Sequence, residues 1–352
     1  MKTPNLKKAG ILSVVMVVIV IGCWEYHLRH RGYSIAYDDG KELWADKRAM
    51  VYESINNATV FIGASRNKFD LDIATWQSLT GEHAIQLAIE GNSPLPVFDD
   101  LANDKNFKGK VVFDVTEGTF FYTPPDDAEP KEDIAWYKKQ TPAQHFSFMI
   151  NHAMESKFVF LDKYFFSLNA LLDKLPVLKR KGIVDMPYSF PPEFDRVNFD
   201  RQSIMMDKFL TDTILQNHVK GIWVFFGSND KSKPIIGTSL DSMLLTIKND
   251  CDKIKSRGGN VLFVRTPSSG SVLAKGNIEF PREKYWARIL ALTNCPGIHF
   301  EDYPAIAHFV CPENSHLSQP QAIVWTKNLF KIMQEEKGWS FPNKPNAIAS
   351  FQ

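Results

Sequence analysis

The sequence predicts an α/β protein with a central parallel sheet, a long inserted cap region and one transmembrane helix ahead of the folded domain. Three observations lead to this prediction. They are a charge-free apolar run near the N-terminus, strand-like segments that alternate with amphipathic helices, and a middle stretch that lacks this alternation. The composition agrees with a globular chain, because 44% of the 352 residues are hydrophobic and 23% are charged.

The N-terminal segment predicts a membrane anchor. Residues 9–24 carry no charged side chain and follow a head with three lysines. At about 1.5 Å of rise per residue, this run is slightly short for a hydrocarbon core of ~30 Å, so interfacial residues are expected to extend the span to 9–28. The lysines favour a cytoplasmic N-terminus, with the remainder outside the cytoplasm. A lipoprotein signal ending at Cys23 is the alternative.

Strand-like and helix-like segments alternate along the rest of the chain. Short β-branched and aromatic runs predict buried strands at 59–62, 84–87, 110–115, 221–226 and 260–265. Apolar residues at helical spacing predict an amphipathic helix over 243–254, which Gly258 and Gly259 end. A last helix follows Ser318, which forms a capping-box pattern with Gln321. Strands that alternate with helices indicate a parallel sheet covered on both faces.

The stretch from about 120 to 220 is rich in proline, aromatic and charged residues and shows no regular alternation. We interpret it as an insertion that forms a cap, because predicted strands lie on both sides of it. The expected organisation is a cytoplasmic head at 1–8, a signal anchor at 9–28, a connecting arm at 29–50, an α/β domain at 51–337 and a loose tail at 338–352.

Charge and cysteine content exclude several classes of protein. The net charge is +1, from 41 basic and 40 acidic residues, so nothing indicates a partner nucleic acid. Four cysteines are too few for a disulfide scaffold and lack paired C-x-x-C spacing. The chain also has no glycine-rich phosphate-binding motif after a strand. The sequence therefore predicts no cofactor and no metal.

Two fragments carry residues for nucleophilic chemistry. Ser65 lies two residues after Gly63, at the end of the first predicted strand, where a tight turn exposes a hydroxyl. Far along the chain, Glu313 precedes His316 by three residues, in a loop just ahead of the last helix. A carboxylate at this spacing can hold the imidazole by its Nδ1–H and leave Nε2 free to take a proton from the serine. Structural roles, helix capping for Ser65 and surface pairing for His316, are the alternative.

Taken together, these fragments resemble the SGNH (GDSL-like) hydrolase superfamily, and in particular its membrane-anchored branch with alginate O-acetyltransferase-like envelope proteins. The resemblance covers residues 25–120 and 220–337 and implies a flavodoxin-like three-layer sandwich. It assigns Ser65 as nucleophile, His316 as base and Glu313 as the orienting acid, where the superfamily usually has Asp. Residues 86–94 match its glycine block, which implies an oxyanion hole with Gly91 and Asn92. Asn229 is the alternative, because residues 227–230 resemble the superfamily's asparagine block.

Other chemistry-bearing residues have weaker patterns. Arg265 ends a predicted strand at the same edge and is a candidate for binding an anionic substrate, although a surface ion pair is the favoured role. Cys295, His299, His308, Cys311 and His316 could together ligate zinc, but the strand-like run at 298–300 and the oxidising location argue against this. A disulfide between Cys295 and Cys311 is the more favoured expectation for these two thiols.

These patterns lead to one expected function and one alternative. The expected function is that of an extracytoplasmic, membrane-anchored esterase or O-acyltransferase that acts on an acylated carbohydrate through Ser65, His316 and Glu313. The alternative is a non-catalytic envelope protein of the same fold that binds a polysaccharide or a protein partner. In both cases the expected partners are the membrane and a carbohydrate or other acyl ester.

Overall fold

A computed structural model describes residues 6–175, 189–229 and 231–342. The chain divides into two compact units. The first consists of Met1–Asp38 with Pro142–Pro187, and the second of Asp39–Thr141 with Tyr188–Gln352. The candidate site lies wholly in the second unit, which contains the central sheet.

The strands are short, as in many α/β proteins. They are β1 Ala58–Ile62, β2 His83–Gln86, β3 Lys110–Asp114, β4 Tyr122–Thr123, β5 Arg196–Val197, β6 Ser203–Ile204, β7 Lys233–Pro234, β8 Asn260–Arg265 and β9 Gly297–His299. The helices up to residue 173 are α1 Leu6–His30, α2 Lys41–Ala49, α3 Ser65–Asp70, α4 Ile73–Thr80, α5 Leu95–Asn103, α6 Glu117–Phe120, α7 Ala128–Lys139, α8 Pro142–Glu155 and α9 Leu168–Asp173. Those that follow are α10 Asp207–Thr211, α11 Thr213–Asn229, α12 Gly237–Ser256, α13 Gly270–Glu279, α14 Trp286–Thr293 and α15 Gln319–Glu335.

The central sheet is parallel and has the strand order β2-β1-β3-β8-β9. This confirms the predicted α/β class. Alternate residues of its strands point to opposite faces, so Val60 and Phe61 enter different clusters of buried apolar side chains. One cluster includes side chains of α5, α12 and α14, and the other includes side chains of α4 and α15. The sheet is thus buried on both faces, which explains its continuous apolar strands.

Two predicted helices form as the sequence indicates. The amphipathic pattern at 243–254 lies in α12, where Leu244, Ile247, Cys251 and Ile254 are buried. The last helix begins after Ser318, whose capping box with Gln321 is present.

The predicted strand at 221–226 is wrong, because these residues lie within helix α11. Val219 and Ile222 are fully buried, whereas Val224 is 64% exposed, and this three-residue spacing is helical. A short apolar run cannot be assigned to a strand or a helix by its periodicity alone. The sheet instead takes β9, from a segment that the sequence analysis noted only as strand-like.

The segment expected to form one insertion is shared by both units. Residues 142–187 group with the N-terminal segment, whereas 120–141 and 188–220 belong to the α/β unit. The expected loose tail is described only up to residue 342. Within it, Trp339 and Phe341 are buried, and the Phe341 ring lies 5.4 Å from that of Trp76. Aromatic burial therefore holds the start of this segment against the α/β core.

The first unit contains the candidate membrane anchor. Helix α1 is long and apolar enough to cross a bilayer. Its side chains from Ile11 to Val20 are exposed along the helix, as expected for a segment whose surroundings are lipid. The helix extends beyond the predicted span of 9–28 at both ends.

The packing of α12 can be tested with two neighbouring leucines. Leu244 is 1% exposed in the core, whereas Leu245, the next residue, is 54% exposed. We expect Leu244→Ala to lower the free energy of unfolding by about 2–5 kcal/mol, because it removes buried methyl groups and leaves a cavity. Leu245→Ala should change it by less than about 0.5 kcal/mol. Urea unfolding of both variants measures this, and equal effects would contradict the packing described.

Candidate active site

Ser65 is positioned by the turn that joins β1 to α3. The strand ends at Ile62, and α3 begins at Ser65 itself. A side chain at Gly63 would place its Cβ 2.7 Å from the Asp114 Cβ, so only glycine fits between the two strands. The Asn67 amide donates to the Ile62 carbonyl at 3.1 Å and closes the turn. Ser65 therefore lies at the carboxyl end of β1, where open parallel sheets place their sites.

His316 and Glu313 lie on the loop that leads into α15. The backbone N–H of Leu317 donates to Asp70 Oδ1 at 2.9 Å, which ties this loop to the end of α3. The His316 ring lies 4.5 Å from the ring of Phe69 on the same helix. One short helix thus carries Ser65 at its start and contacts the histidine loop near its end.

The structure brings Ser65, His316 and Glu313 together in one hydrogen-bonded row. His316 Nε2 lies 2.8 Å from Ser65 Oγ, and His316 Nδ1 lies 3.0 Å from Glu313 Oε1. A carboxylate only accepts hydrogen bonds, so Nδ1 carries the ring proton and Nε2 accepts from the serine hydroxyl. The row has the distances that proton transfer from serine to imidazole requires.

The Glu313 carboxylate is completely buried and is satisfied by N–H donors. Oε1 also accepts from the backbone N–H groups of Ser315, at 3.2 Å, and His316, at 2.6 Å. Oε2 accepts from the indole N–H of Trp223. Because a buried carboxylate is costly unless it is hydrogen-bonded, these donors fix the position of Glu313 and, through it, of His316.

Trp223 is a residue of the site that the sequence analysis did not identify. It lies on α11, and its ring is 5.8 Å from the His316 ring. Phe194 also contacts the imidazole, with ring centroids 5.9 Å apart. His316 is 1% exposed and Ser65 is half-buried, so the serine is the more accessible end of the row. The sequence signal for Trp223 is the aromatic content of residues 221–226, whose pattern predicts a strand.

Within the described ranges, no hydrogen bond joins Asn92 to Ser65. Both amide hydrogens of Asn92 are used, one by the Glu90 carbonyl at 2.8 Å and one by Glu129 Oε2 at 2.9 Å. The preceding segment does run beside the serine turn, since Ile89 N–H donates to the Gly63 carbonyl at 3.2 Å. Gly91 follows on the same segment and has a φ of 68°.

The alternative residue Asn229 is placed differently from the expectation. It is the last residue of α11 and does not follow a strand. The likeness of residues 227–230 to an asparagine block depended on the strand predicted at 221–226. Since that segment is helical, the expected strand-end position is lost.

Arg265 forms an ion pair inside the protein. Its Nε donates to Glu117 Oε1 at 2.7 Å, and the side chain is almost fully buried. Glu117 also pairs with Arg66, the residue after the serine, at 3.4 Å. Burial raises the pKa of the Glu117 carboxyl, but the two guanidinium groups outweigh it and leave this pKa below its usual range. Arg265 thus has the favoured role of an ion-pair partner, although the pair is not on the surface.

The expected Cys295–Cys311 disulfide is not formed, and the four cysteines, all in the described ranges, are free thiols. Cys295 belongs to the apolar cluster on one face of the sheet and Cys311 to that on the other, which separates the two thiols. Cys295 instead lies beside Cys251, and the hydrogen bond between the two thiols lowers the pKa of Cys295. Across the described ranges, no group of three or more His, Cys, Asp or Glu side chains is arranged to hold a metal ion.

Comparisons with known proteins do not assign this chain to a family. No protein-family model matches the chain, and no curated protein is significantly similar to it. The interpretation of the site therefore depends on its own geometry.

The buried Asp70 carboxyl makes the stability of the folded protein depend on pH. The side chain is fully buried, and its Oδ2 has no hydrogen-bond partner among the described residues. Burial, together with the nearby Asp114 and Glu313, raises the pKa of Asp70 well above its usual value. The folded state therefore binds this proton more tightly, and its contribution to stability is lost as the pH rises above about 4.

We expect Asp70→Asn to gain stability relative to the wild type as the pH rises from 4 to 8, by about 1.4 kcal/mol for each unit of the pKa difference. Urea unfolding at several pH values measures this trend. Asp302→Asn is the control, because the hydrogen bond from Arg282 lowers the pKa of Asp302, so its stability curve should run parallel to that of the wild type from pH 4 to 8 and differ from it only below about pH 4. Parallel stability curves for the wild type and Asp70→Asn would refute the assignment.

Proposed function

We propose that this protein is a membrane-anchored serine esterase or O-acyltransferase that acts on an acylated carbohydrate outside the cytoplasm. The observation that carries the proposal is the row from Ser65 through His316 to Glu313, in which Ser65 Oγ lies 2.8 Å from His316 Nε2. A hydroxyl, an imidazole and a carboxylate with these donor and acceptor roles are the groups that nucleophilic attack on an acyl carbon requires.

In the proposed reaction, Ser65 Oγ attacks the acyl carbonyl carbon while its proton passes to His316 Nε2. The tetrahedral intermediate collapses, the ester C–O bond breaks, and the imidazolium gives the proton to the leaving alcohol. Water or a sugar hydroxyl, deprotonated by the same nitrogen, then takes the acyl group and frees the serine. Glu313 accepts Nδ1–H throughout and stabilises the positive charge on the imidazolium.

The oxyanion of this intermediate needs N–H donors close to Ser65. We assign this role to backbone N–H groups at the same sheet edge, with Gly91 as the donor that the resemblance implies. The course of the chain supports the assignment, since Ile89 pairs with Gly63 beside the serine turn. Among the described residues, apart from the two chain neighbours of Gly91, no heavy atom lies within 4 Å of the place where a Cβ at this position would project, which leaves room for a substrate.

We also assign the α/β unit to a flavodoxin-like, three-layer architecture of the SGNH (GDSL-like) kind. When only the strands of the central sheet are numbered, their order is 2-1-3-4-5, which is the order in flavodoxin-like sheets. The nucleophile follows the first of these strands, and His316 precedes helix α15. These positions agree with the resemblance to that superfamily.

The proposed location follows from the anchor. Helix α1 is long and apolar enough to cross a bilayer, and the lysines before its apolar run favour a cytoplasmic N-terminus. We therefore place the catalytic unit in the bacterial envelope, facing away from the cytoplasm. Cys23 lies within α1 and is exposed, so lipidation at this thiol stays the alternative mode of attachment.

A non-catalytic envelope protein that binds a polysaccharide or a protein partner is the second candidate. One observation favours it: Asn92 gives both amide hydrogens to Glu90 and Glu129, so it offers none to an oxyanion. Under this alternative, the serine–histidine row would persist without turnover. Kinetics separate the two candidates.

Ser65→Ala and His316→Ala are each expected to lower kcat for an acyl ester such as p-nitrophenyl acetate by at least about 1,000-fold, because each removes one end of the proton transfer. The double variant should be hardly slower than either single variant, since the groups act as a unit. The rate at which the full-length protein in detergent releases p-nitrophenolate from p-nitrophenyl acetate measures this.

Ser256→Ala and His308→Ala are matched controls, because both side chains are exposed outside the site, and they should keep full activity. Losses that multiply in the double variant, or full activity without Ser65, would reject the mechanism. A folded wild type that turns over no acyl ester and no acylated sugar would favour the binding protein.

A further inference from the structure

Helix α8, in the first unit, has an exposed face that an ordinary surface helix does not have. Phe146, Met149, Ile150 and Met154 are 63%, 53%, 46% and 46% exposed. Their spacing of three and four residues places them on one side of the helix. The helix contains no lysine, arginine or aspartate, and its only glutamate is its last residue. The exposed side of α8 is therefore a continuous apolar surface that carries no charged side chain.

The opposite side of α8 packs against its own unit. His152 contacts Tyr37, with ring centroids 5.2 Å apart, and it also stacks on Phe148 at 6.2 Å. These residues are half-buried. This side of α8 thus contacts its own unit, whereas the apolar face is exposed.

A second exposed apolar surface lies on α9, in the same unit. Leu168 and Leu172 are 70% and 51% exposed, and Leu175, just after the helix, is 59% exposed. Exposed apolar surface of this extent indicates a partner that excludes water.

The residues between α8 and α9 are bonded to the end of the anchor helix. The Glu25 carboxylate accepts the backbone N–H groups of Val159, at 3.1 Å, and Phe160, at 2.9 Å. The Trp24 indole donates to the Phe166 carbonyl at 3.1 Å, and Arg29 donates to the Lys157 carbonyl at 2.7 Å. Trp24 ends the apolar run, at the level where aromatic rings meet the headgroups. The segment 157–166 is therefore bonded to the end of α1 that follows its apolar run.

We propose that α8 and α9 lie in the headgroup region of the same bilayer that α1 crosses, with Phe146, Met149, Ile150 and Leu172 among the acyl chains. This inference depends on the proposed membrane anchoring. The partner is lipid because both apolar surfaces are joined, through short segments, to the point where α1 leaves the hydrocarbon. A helix with an apolar face at that depth gains free energy by burying it about 5–10 Å into the interface.

The test uses the full chain in phosphatidylcholine vesicles that contain lipids with a spin label on the acyl chain. A fluorescent NBD label is attached to single cysteines in a Cys23→Ser background, in which the three remaining cysteines are buried. Met149→Cys reports on the apolar face. Asn151→Cys is the matched control, because it is exposed two residues away on a different side of the helix. Val17→Cys reports on the anchor itself.

The proposal predicts that spin-labelled lipid quenches the label at 149 at least about twofold more than the label at 151, with strong quenching at 17. Equal, weak quenching at 149 and 151 with strong quenching at 17 would overturn this inference and leave the anchoring intact. A blue-shifted but unquenched label at 149 would also overturn it, since a protein surface would then cover the face. Absence of quenching at 17 would refute the anchoring and this inference together.

Discussion

The hydrogen bond between Ser65 Oγ and His316 Nε2 joins two segments that are 251 residues apart in the chain. Such a contact exists only because a parallel sheet gathers the carboxyl ends of its strands at one edge. Gly63 lets β1 turn beside Asp114, and Asp70, at the end of α3, holds the loop that carries His316. The arrangement of the site is therefore a property of the sheet and of one short helix.

Because the charged groups of this site are buried, each needs hydrogen-bond or ion-pair partners, and these contacts fix its position. Glu313 is withdrawn from water, so its acceptor positions must be filled by N–H groups, and Trp223 supplies one from a helix distant in sequence. Arg66, Glu117 and Arg265 form a second buried charged network next to the serine. Breaking one partner of such a network leaves an uncompensated charge, so each group constrains the others. This order favours a fixed serine and histidine over a flexible binding surface.

The sequence predicted those features that depend on local patterns. Strands β1, β3 and β8 are apolar runs bounded by polar or glycine residues, and Glu313 with His316 is a contact three residues apart. The prediction is wrong where an apolar run has no local signature: the pattern of residues 221–226 predicts a strand, although one face of helix α11 buries Ile222. The role of Trp223 and the separation of Cys295 from Cys311 arise from tertiary packing. The spacing of these residues along a single sequence does not show which side chains meet in the folded protein.

The most direct test of the account is covalent labelling of the full-length protein with a fluorophosphonate, followed by peptide mass spectrometry. A serine whose proton is taken by a buried histidine attacks phosphorus, displaces fluoride and keeps the phosphonyl group. The account predicts one adduct, on Ser65, that is absent in Ser65→Ala and strongly slowed in His316→Ala. A folded protein that forms no adduct, or that is labelled elsewhere while Ser65 stays unmodified, would contradict it.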